Sequence, residues 1–461
     1  MTRLRFALAP LLLALAACTP LPSTVLPGPP AAQPAAGSGS APAPGAAPLV
    51  VKPLPGALDK VQVLHSNSPE VVVTDGIMVS TLKGTGAHLD HAFEGAFEVF
   101  SHHLADDRAG DADALWLGLL AHNDGDSAVT VKLAGGASWL SRPDAPFLTL
   151  GAIVADPTGQ VFAGPGSRVA TDLVHGRTPV GPSSWTLAPG ETRVLDTRSL
   201  PTTNRGVPNR NERTTQLRFD ADGPIRLAEV ATFGRADAAP TNAALQALLD
   251  AGTLAGPRDR TPTLYTPGQP PASGAFIYGR AAGVASGATW TGTLFDRATA
   301  ALPKPGDRAD FPIAALVQNT MGTKQIQAPD MLKRYPDTAV QAQGSYGVTY
   351  RLALPLDAPA EAPATYALHF TSPLKVSESA PAAPVFKPST RTMFRGPLKL
   401  TWTDADGKAQ ATAVHVVLKE GEDAPAFATV TVPAGKRYDA RLTLVYPADC
   451  TPPQLLSVVR K

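Results

Sequence analysis

Proline is the residue that most narrows what this chain can fold into. Its 47 prolines, about double the usual ~5%, are spread along the whole length. Each one removes a backbone donor and breaks a helix interior. Long helices are therefore expected to be scarce, and the pieces left between breaks are strand-sized. At 461 residues the chain exceeds the size at which one core stops growing, so two domains or one large elongated β architecture are expected.

Segments 70–73, 97–100, 115–120 and 129–133 read as strands from their length and their β-branched and aromatic content. Asn123-Asp124-Gly125-Asp126 lies between the last two as a hairpin-type turn. Pro189-Gly190 and Asp222-Gly223 sit between short apolar runs in the same way. In the second half, strands are predicted at 276–279, 289–295, 347–354, 365–370, 398–403, 412–418, 428–432 and 440–446, with Asp404-Ala405-Asp406-Gly407 as a hairpin turn. One stretch departs from this pattern: 241–252 has a Thr or Asn cap, helical apolar spacing and a closing Gly252. The predicted fold is mainly β, with two β-sandwich-like domains and one short helix between them, following a disordered N-terminal tether. The expected partition is a leader at 1–18, the tether at 19–48, an N-terminal β domain at 49–240, helix and linker at 241–271, and a C-terminal β domain at 272–461.

The leader carries Arg3 and Arg5, an apolar run from Phe6 to Leu13, and Leu15-Ala16-Ala17-Cys18 at its end. The run is too short to span a ~30 Å hydrocarbon core, which makes it an export signal. Its last four residues resemble the lipobox of bacterial lipoproteins, so Cys18 is the expected lipidation site, anchoring the chain to the cell envelope. Thr19 in place of aspartate points to the outer membrane or cell surface. With Cys18 acylated, Cys450 is the other of the chain's two cysteines, and no intramolecular disulfide can form. The segment 19–48 has no charge and is mostly Pro, Ala and Gly, a composition that cannot order itself. In extended polyproline form it would reach at most about 90 Å.

Lysine plus arginine (40) nearly cancels aspartate plus glutamate (39), which removes any electrostatic case for binding nucleic acid. G-x-S-x-G, H-E-x-x-H, phosphate-loop and G-x-G-x-x-G patterns are absent. Gly164-Pro165-Gly166-Ser167-Arg168 reads as a tight turn. Residues 88–103 hold His88, His91, His102 and His103, four of nine histidines, among Asp90, Glu94 and Glu98. This is ligand chemistry suited to copper or zinc. Strand parity puts His102 and His103 on opposite faces, so those two share an ion only if the strand ends or bulges there. A hydrogen-bonded surface hairpin is the alternative. Arg205, Arg210 and Arg213 in the predicted loop TTNRGVPNRNERTT could grip anionic sugars or carboxylates. The five tryptophans are read as core rather than sugar platforms.

The stretches HSNSPEVVVTDGI (65–77), FEGAFEVFSHH (93–103), WLSRPDAPF (139–147), AGPGSRVATD (163–172), LAGPRDR (254–260), IYGRAAGV (277–284) and KRYPDTA (333–339) belong together. From about residue 53 to the C-terminus the chain resembles a family of exported envelope proteins from cyanobacteria and deinococci, catalogued as a domain of unknown function. The resemblance implies a place on the bacterial envelope and brings no catalytic residues. The leading expectation is a non-catalytic envelope lipoprotein that docks onto surface-layer protein or wall polymer. A His-ligated metalloprotein, such as a copper-dependent superoxide dismutase-like enzyme, and a binder of wall carbohydrate are the alternatives.

Overall fold

Strands from the two halves of the chain pair with one another, and this pairing organises the molecule. The computed structural model describes residues 51–107, 111–202, 210–269, 275–295, 302–374, 384–387 and 389–461. The leader, Cys18, the tether and Arg205 lie outside the described residues. In chain order the first strands are β1 (Ala57–Leu58), β2 (Gln62–Ser66), β3 (Gly76–Ser80), β4 (Phe93–Asp106), β5 (Ala114–His122), β6 (Val129–Leu140) and β7 (Ile153–Ala155). Helix α1 (Pro165–Val174) precedes β8 (Ser183–Leu187), β9 (Thr192–Pro201) and β10 (Arg210–Gly234), and α2 (Asn242–Ala251) follows. Then come β11 (Ala282–Ser286), β12 (Thr289–Thr293), β13 (Arg308–Ile313), β14 (Asp330–Arg334), β15 (Thr349–Asp357) and β16 (Ala364–Thr371). The chain closes with β17 (Thr392–Thr403), β18 (Ala409–Lys419), β19 (Ala426–Val432), β20 (Arg437–Val445) and β21 (Gln454–Arg460).

Among the described residues the strands form sheets of ten, seven and four. The ten-stranded sheet runs β14-β11-β2-β4-β10-β5-β9, with β3 and β6 also on β10 and β8 on β6. The seven-stranded sheet is β1-β12-β15-β20-β17-β18-β7, and the four-stranded one β13-β21-β16-β19. The mainly-β expectation holds. Strands β11 and β14 from the second half complete the first sheet, and β1 and β7 from the first half complete the second. Segment 241–271 therefore does not divide two closed sheet systems.

Helix α2 forms as read: Thr241 Oγ1 accepts from Ala244 N at 3.1 Å, and Gly252 closes the helix in the left-handed region at φ 62. The tight turn expected at 164–168 is instead the start of α1, a second helix. Pro165 stands at N1, where its fixed φ suits a helix and its missing N–H costs nothing. All but one of the α1 residues are buried, with β6 and β10 on one side and β17 and β20 on the other. A helix buried all round is wedged between sheets rather than laid on one. Its polar groups are matched there: Asp172 accepts from Trp139 Nε1 at 2.7 Å, and Arg168 stacks 3.4 Å over the Trp139 ring.

Three predicted turns do not reverse the chain into a paired hairpin. Strand β10 runs unbroken through Asp222-Gly223, which sits in a register shift between Ala221 and Ile225. Asn123 makes its Asx turn, with Gly125 N donating to its Oδ1 at 3.0 Å. The flanking β5 and β6 nonetheless pair with different stretches of β10, and β8 and β9 pair with β6 and β5 rather than with each other. Only at 404–407 does the turn join partners, β17 and β18. Segment 70–73 supplies an isolated bridge, Val71 to Leu104, and 276–279 forms no strand.

The largest core lies between the seven- and four-stranded sheets, around Tyr350, Tyr366, Phe370, Phe394, Leu442 and Leu456. A second, inside the ten-stranded sheet, joins Leu64, Phe97, Leu217 and Phe219 to Tyr335 from beyond β14. Tyr335, 1% exposed, donates to Ala87 O at 2.8 Å and accepts from Ser80 N at 2.9 Å, clipping the two halves together. Replacing Tyr335 by Phe strands both backbone groups. The expected loss is about 1–3 kcal/mol, measured by chemical denaturation, with a single transition in the parent protein because the halves share sheets.

Candidate functional site

The parity of β4 decides what its two histidines can do. Opposite β4 runs β10, with Thr214 facing His102 and Arg213 facing His103. Alternation carries through the pair, so the rings leave on opposite faces. His103, fully buried, donates from Nδ1 to Pro69 O at 2.8 Å, and its Nε2 lies 3.0 Å from Ser66 Oγ and 3.3 Å from Glu229 Oε2.

His102 turns the other way. Its Nδ1 is 2.9 Å from Thr214 Oγ1 and its Nε2 is 3.3 Å from Asp449 Oδ1. Glu212, two residues from Thr214 on the same face of β10, completes a group: one ligand atom each from His102, Glu212 and Asp449 lie within 4.8 Å of one another. Glu212 is 8% exposed. Its Oε1, like Asp449 Oδ2, has no hydrogen-bond partner. Burial holds His102 neutral, pushing its pKa down to about 3 with help from His103. Burial pushes Glu212 well above the carboxylate range, with the charge of Asp449 adding to it, and raises Asp449 to about 6 against Arg395 and an N–H from Gly166. Two buried carboxyls beside a neutral imidazole can share a proton or hold a cation.

Asp449 is placed by the backbone. It sits at φ 65, a left-handed conformation that aspartate tolerates better than most residues. The 448–449 turn presses on the first turn of α1. A Cβ on Gly166 would come 2.8 Å from Ala448 O, so only glycine lets that N–H reach the carboxylate.

The histidines expected to converge do not. His88 Nδ1 pairs with Ser80 Oγ at 2.8 Å and His91 Nε2 with Gln62 Oε1 at 3.0 Å. Neither joins a ligand group among the described residues. His65, stacked on Phe100 at 4.9 Å, lies near the pair, its pKa lowered to about 3 by burial first and then by His103 and His102. Residues 210–215 are strand, not loop. Arg210 pairs with Asp106, and Arg213, 7% exposed, donates to Ser199 O at 2.7 Å and Ser138 Oγ at 3.0 Å. Both arginines brace the sheet.

A second polar cluster arises at α1. Ser167 Oγ is 2.7 Å from His415 Nε2 and accepts from Ala163 N. Asp156 is near enough for its charge to act on His415, and Asp156 Oδ2 and His415 Nδ1 have no hydrogen-bond partner. The three residue types match a hydrolase triad, yet Ser167, His415 and Asp156 are 2%, 0% and 1% exposed. A nucleophile so enclosed meets no substrate. Cys450 is likewise buried, its thiol pushed up to about 12 chiefly by burial. The two best-formed cavities among the described residues are each about 10 Å³, the room of one water.

Fold and site define a mainly β protein of interlaced sheets with a buried His-carboxylate group where its halves meet. Residues 50–460 match the family described as "Protein of unknown function (DUF3370)", and the chain belongs to that family. No curated protein sequence matches the chain. Among solved structures, procruciferin, the 11S globulin of Brassica napus, aligns at 10% identity over 85% of this chain and 86% of that one with a TM-score of 0.10; nothing about this chain follows from it. Among the described residues no helix is long and apolar enough to cross a membrane.

Burial lowers His415 to about 4, so folding favours its neutral form. That contribution is complete above the unfolded value near 6.5 and is lost as pH falls through about 4. In His415→Gln the stability measured by urea titration between pH 6.5 and 4 is expected to fall less steeply, by up to about 1.4 kcal/mol per pH unit.

Proposed function

We propose that the protein is a lipoprotein of the bacterial cell envelope, of the kind cyanobacteria and deinococci export, whose β body docks onto surface-layer protein or wall polymer without catalysing a reaction. The observation that carries this reading is Leu15-Ala16-Ala17-Cys18 at the end of a basic, then apolar leader, followed by thirty uncharged residues before the folded body. Acylation at Cys18 would hold the body to the outer membrane, and 19–48 would let it reach through a wall layer. Support for docking rather than turnover comes from the body itself. Among the described residues the two best-formed cavities have room for one water each, whereas small-molecule sites run to about 300–1,000 Å³. Leu264 (60%) and Ile277 (47%) are exposed together, with Thr263 N bonded to Ile277 O. The rings of Tyr265, Phe276 and Tyr278 line the same two segments, an apolar ridge suited to a partner. The superoxide dismutase-like copper reading, which needs several imidazoles on one ion, draws no support from the positions of His88, His91, His102 and His103.

The test is on the native N-terminus. Mass spectrometry is expected to find a diacylglyceryl thioether on Cys18 and nothing before it, and Cys18→Ser is expected to move the protein out of the membrane fraction. An intact leader or an unmodified thiol in protein from its own host would overturn the reading.

A further inference from the structure

We propose that His102, Glu212 and Asp449 form a binding site for one divalent metal ion of the zinc class. The inference stands apart from the envelope reading and concerns the body alone. Three kinds of observation meet here. The ligand atoms converge within 4.8 Å, and the pair His102 Nε2 to Asp449 Oδ1, at 3.3 Å, already has about the edge length of a tetrahedron with ~2.0–2.1 Å bonds. Glu212, more than nine-tenths buried, carries an unpartnered Oε1, and Asp449 beside it an unpartnered Oδ2. Unmatched buried oxygens are costly to hold out of water, and two on carboxyls of one group call for a shared positive partner. The remaining nitrogen of the ring, Nδ1, is held by Thr214 Oγ1 at 2.9 Å. With Nδ1 as the donor, Nε2 presents its lone pair to the carboxylates, the outer-shell arrangement that metal-bound histidines use.

The donor set chooses the metal. One imidazole and two carboxylates are too few and too nitrogenous for calcium, which takes six to eight oxygens. The nearby thiol that soft copper(I) would seek is turned to the backbone of Arg395. Zinc accepts N and O together and needs four ligands, the fourth being water or a further carboxylate oxygen. Arg395, Arg210 and Arg142 lie close enough to act on Glu212 and offset part of the carboxylate charge, favouring a divalent over a trivalent ion. Two ligands come from β4 and β10 and the third from the 448–449 turn, so the ion would tie the halves of the chain.

The full chain, stripped with EDTA and dialysed against zinc alone, is expected to retain about one zinc per molecule by elemental analysis. In Glu212→Gln and Asp449→Asn the affinity is expected to fall at least about 100-fold. Zinc retained in full by a folded Glu212→Gln protein would mean adventitious binding at His88 or His91 and would overturn the assignment, as would no stoichiometric zinc in the parent. Should the variants fail to fold, X-ray absorption on the zinc-loaded parent decides. One imidazole with oxygen ligands supports the site; two or more imidazoles or a sulfur refutes it.

Discussion

Everything in this structure depends on one strand finding partners on both edges. Strand β10 spans 25 residues, and a strand that long and that buried cannot leave its N–H and C=O groups unmatched. Its first part is flanked by β4 and β6, and its second by β3 and β5. From that pairing the faces follow by alternation. Glu212, Thr214 and Gln216 look one way, where Gln216 Nε2 donates to Gly347 O and Glu98 Oε2 at 2.9 Å each. Arg213, Thr215 and Leu217 look the other, into the hydrogen bonds and core of the first sheet. The polar face is thus the seam against which the C-terminal turns at 345–347 and 448–450 are laid. A one-residue slip of β10 would send Glu212 and Thr214 into the apolar side.

The same strand shows how far a sequence can be read. Local chemistry was legible: the cap and stop of α2 at Thr241 and Gly252, the hairpin at 404–407, and most strands of the second half. Turn residues at 123–126, 189–190 and 222–223 do bend or kink the backbone, as their chemistry dictates. What such residues do not encode is whether the strands they separate become neighbours. That depends on long-range pairing, and here β10 captures the partners instead. Helix α1 was hidden for a related reason: Gly-Pro-Gly-Ser suits a turn as well as a helix start, and the decision came from burial between two sheets that lie far apart in sequence.

The candidate site repeats that lesson. A crowd of histidines between 88 and 103 drew attention because the residues are close in sequence, yet closeness along a strand separates side chains onto two faces. His88 and His91 went to Ser80 and Gln62, and only His102 reached a convergent group. Its companions carried no local signal. Glu212 lay in a run that reads as a polar loop, and Asp449 between prolines near the C-terminus. The strand register of β10 and the close approach of Gly166 to Ala448 bring them together, and neither is visible without the fold.

Interlacing also bears on how such a body holds together. Cys450 is a free, buried thiol, so no disulfide braces the described residues, and their stability has to come from burial and shared sheets. Sharing strands between halves makes local opening expensive, because releasing β11 or β14 exposes an edge of the first sheet while releasing β1 or β7 exposes one of the second. The polar seam is the weak place in this scheme, since its carboxyls are buried without full partners. A cation held there would add a binding term that acts on the folded state alone and would act where the two halves meet. Fold and site therefore point in the same direction: a body made rigid by pairing that crosses its own middle, with two incompletely partnered buried carboxyls, Glu212 and Asp449, placed at the crossing.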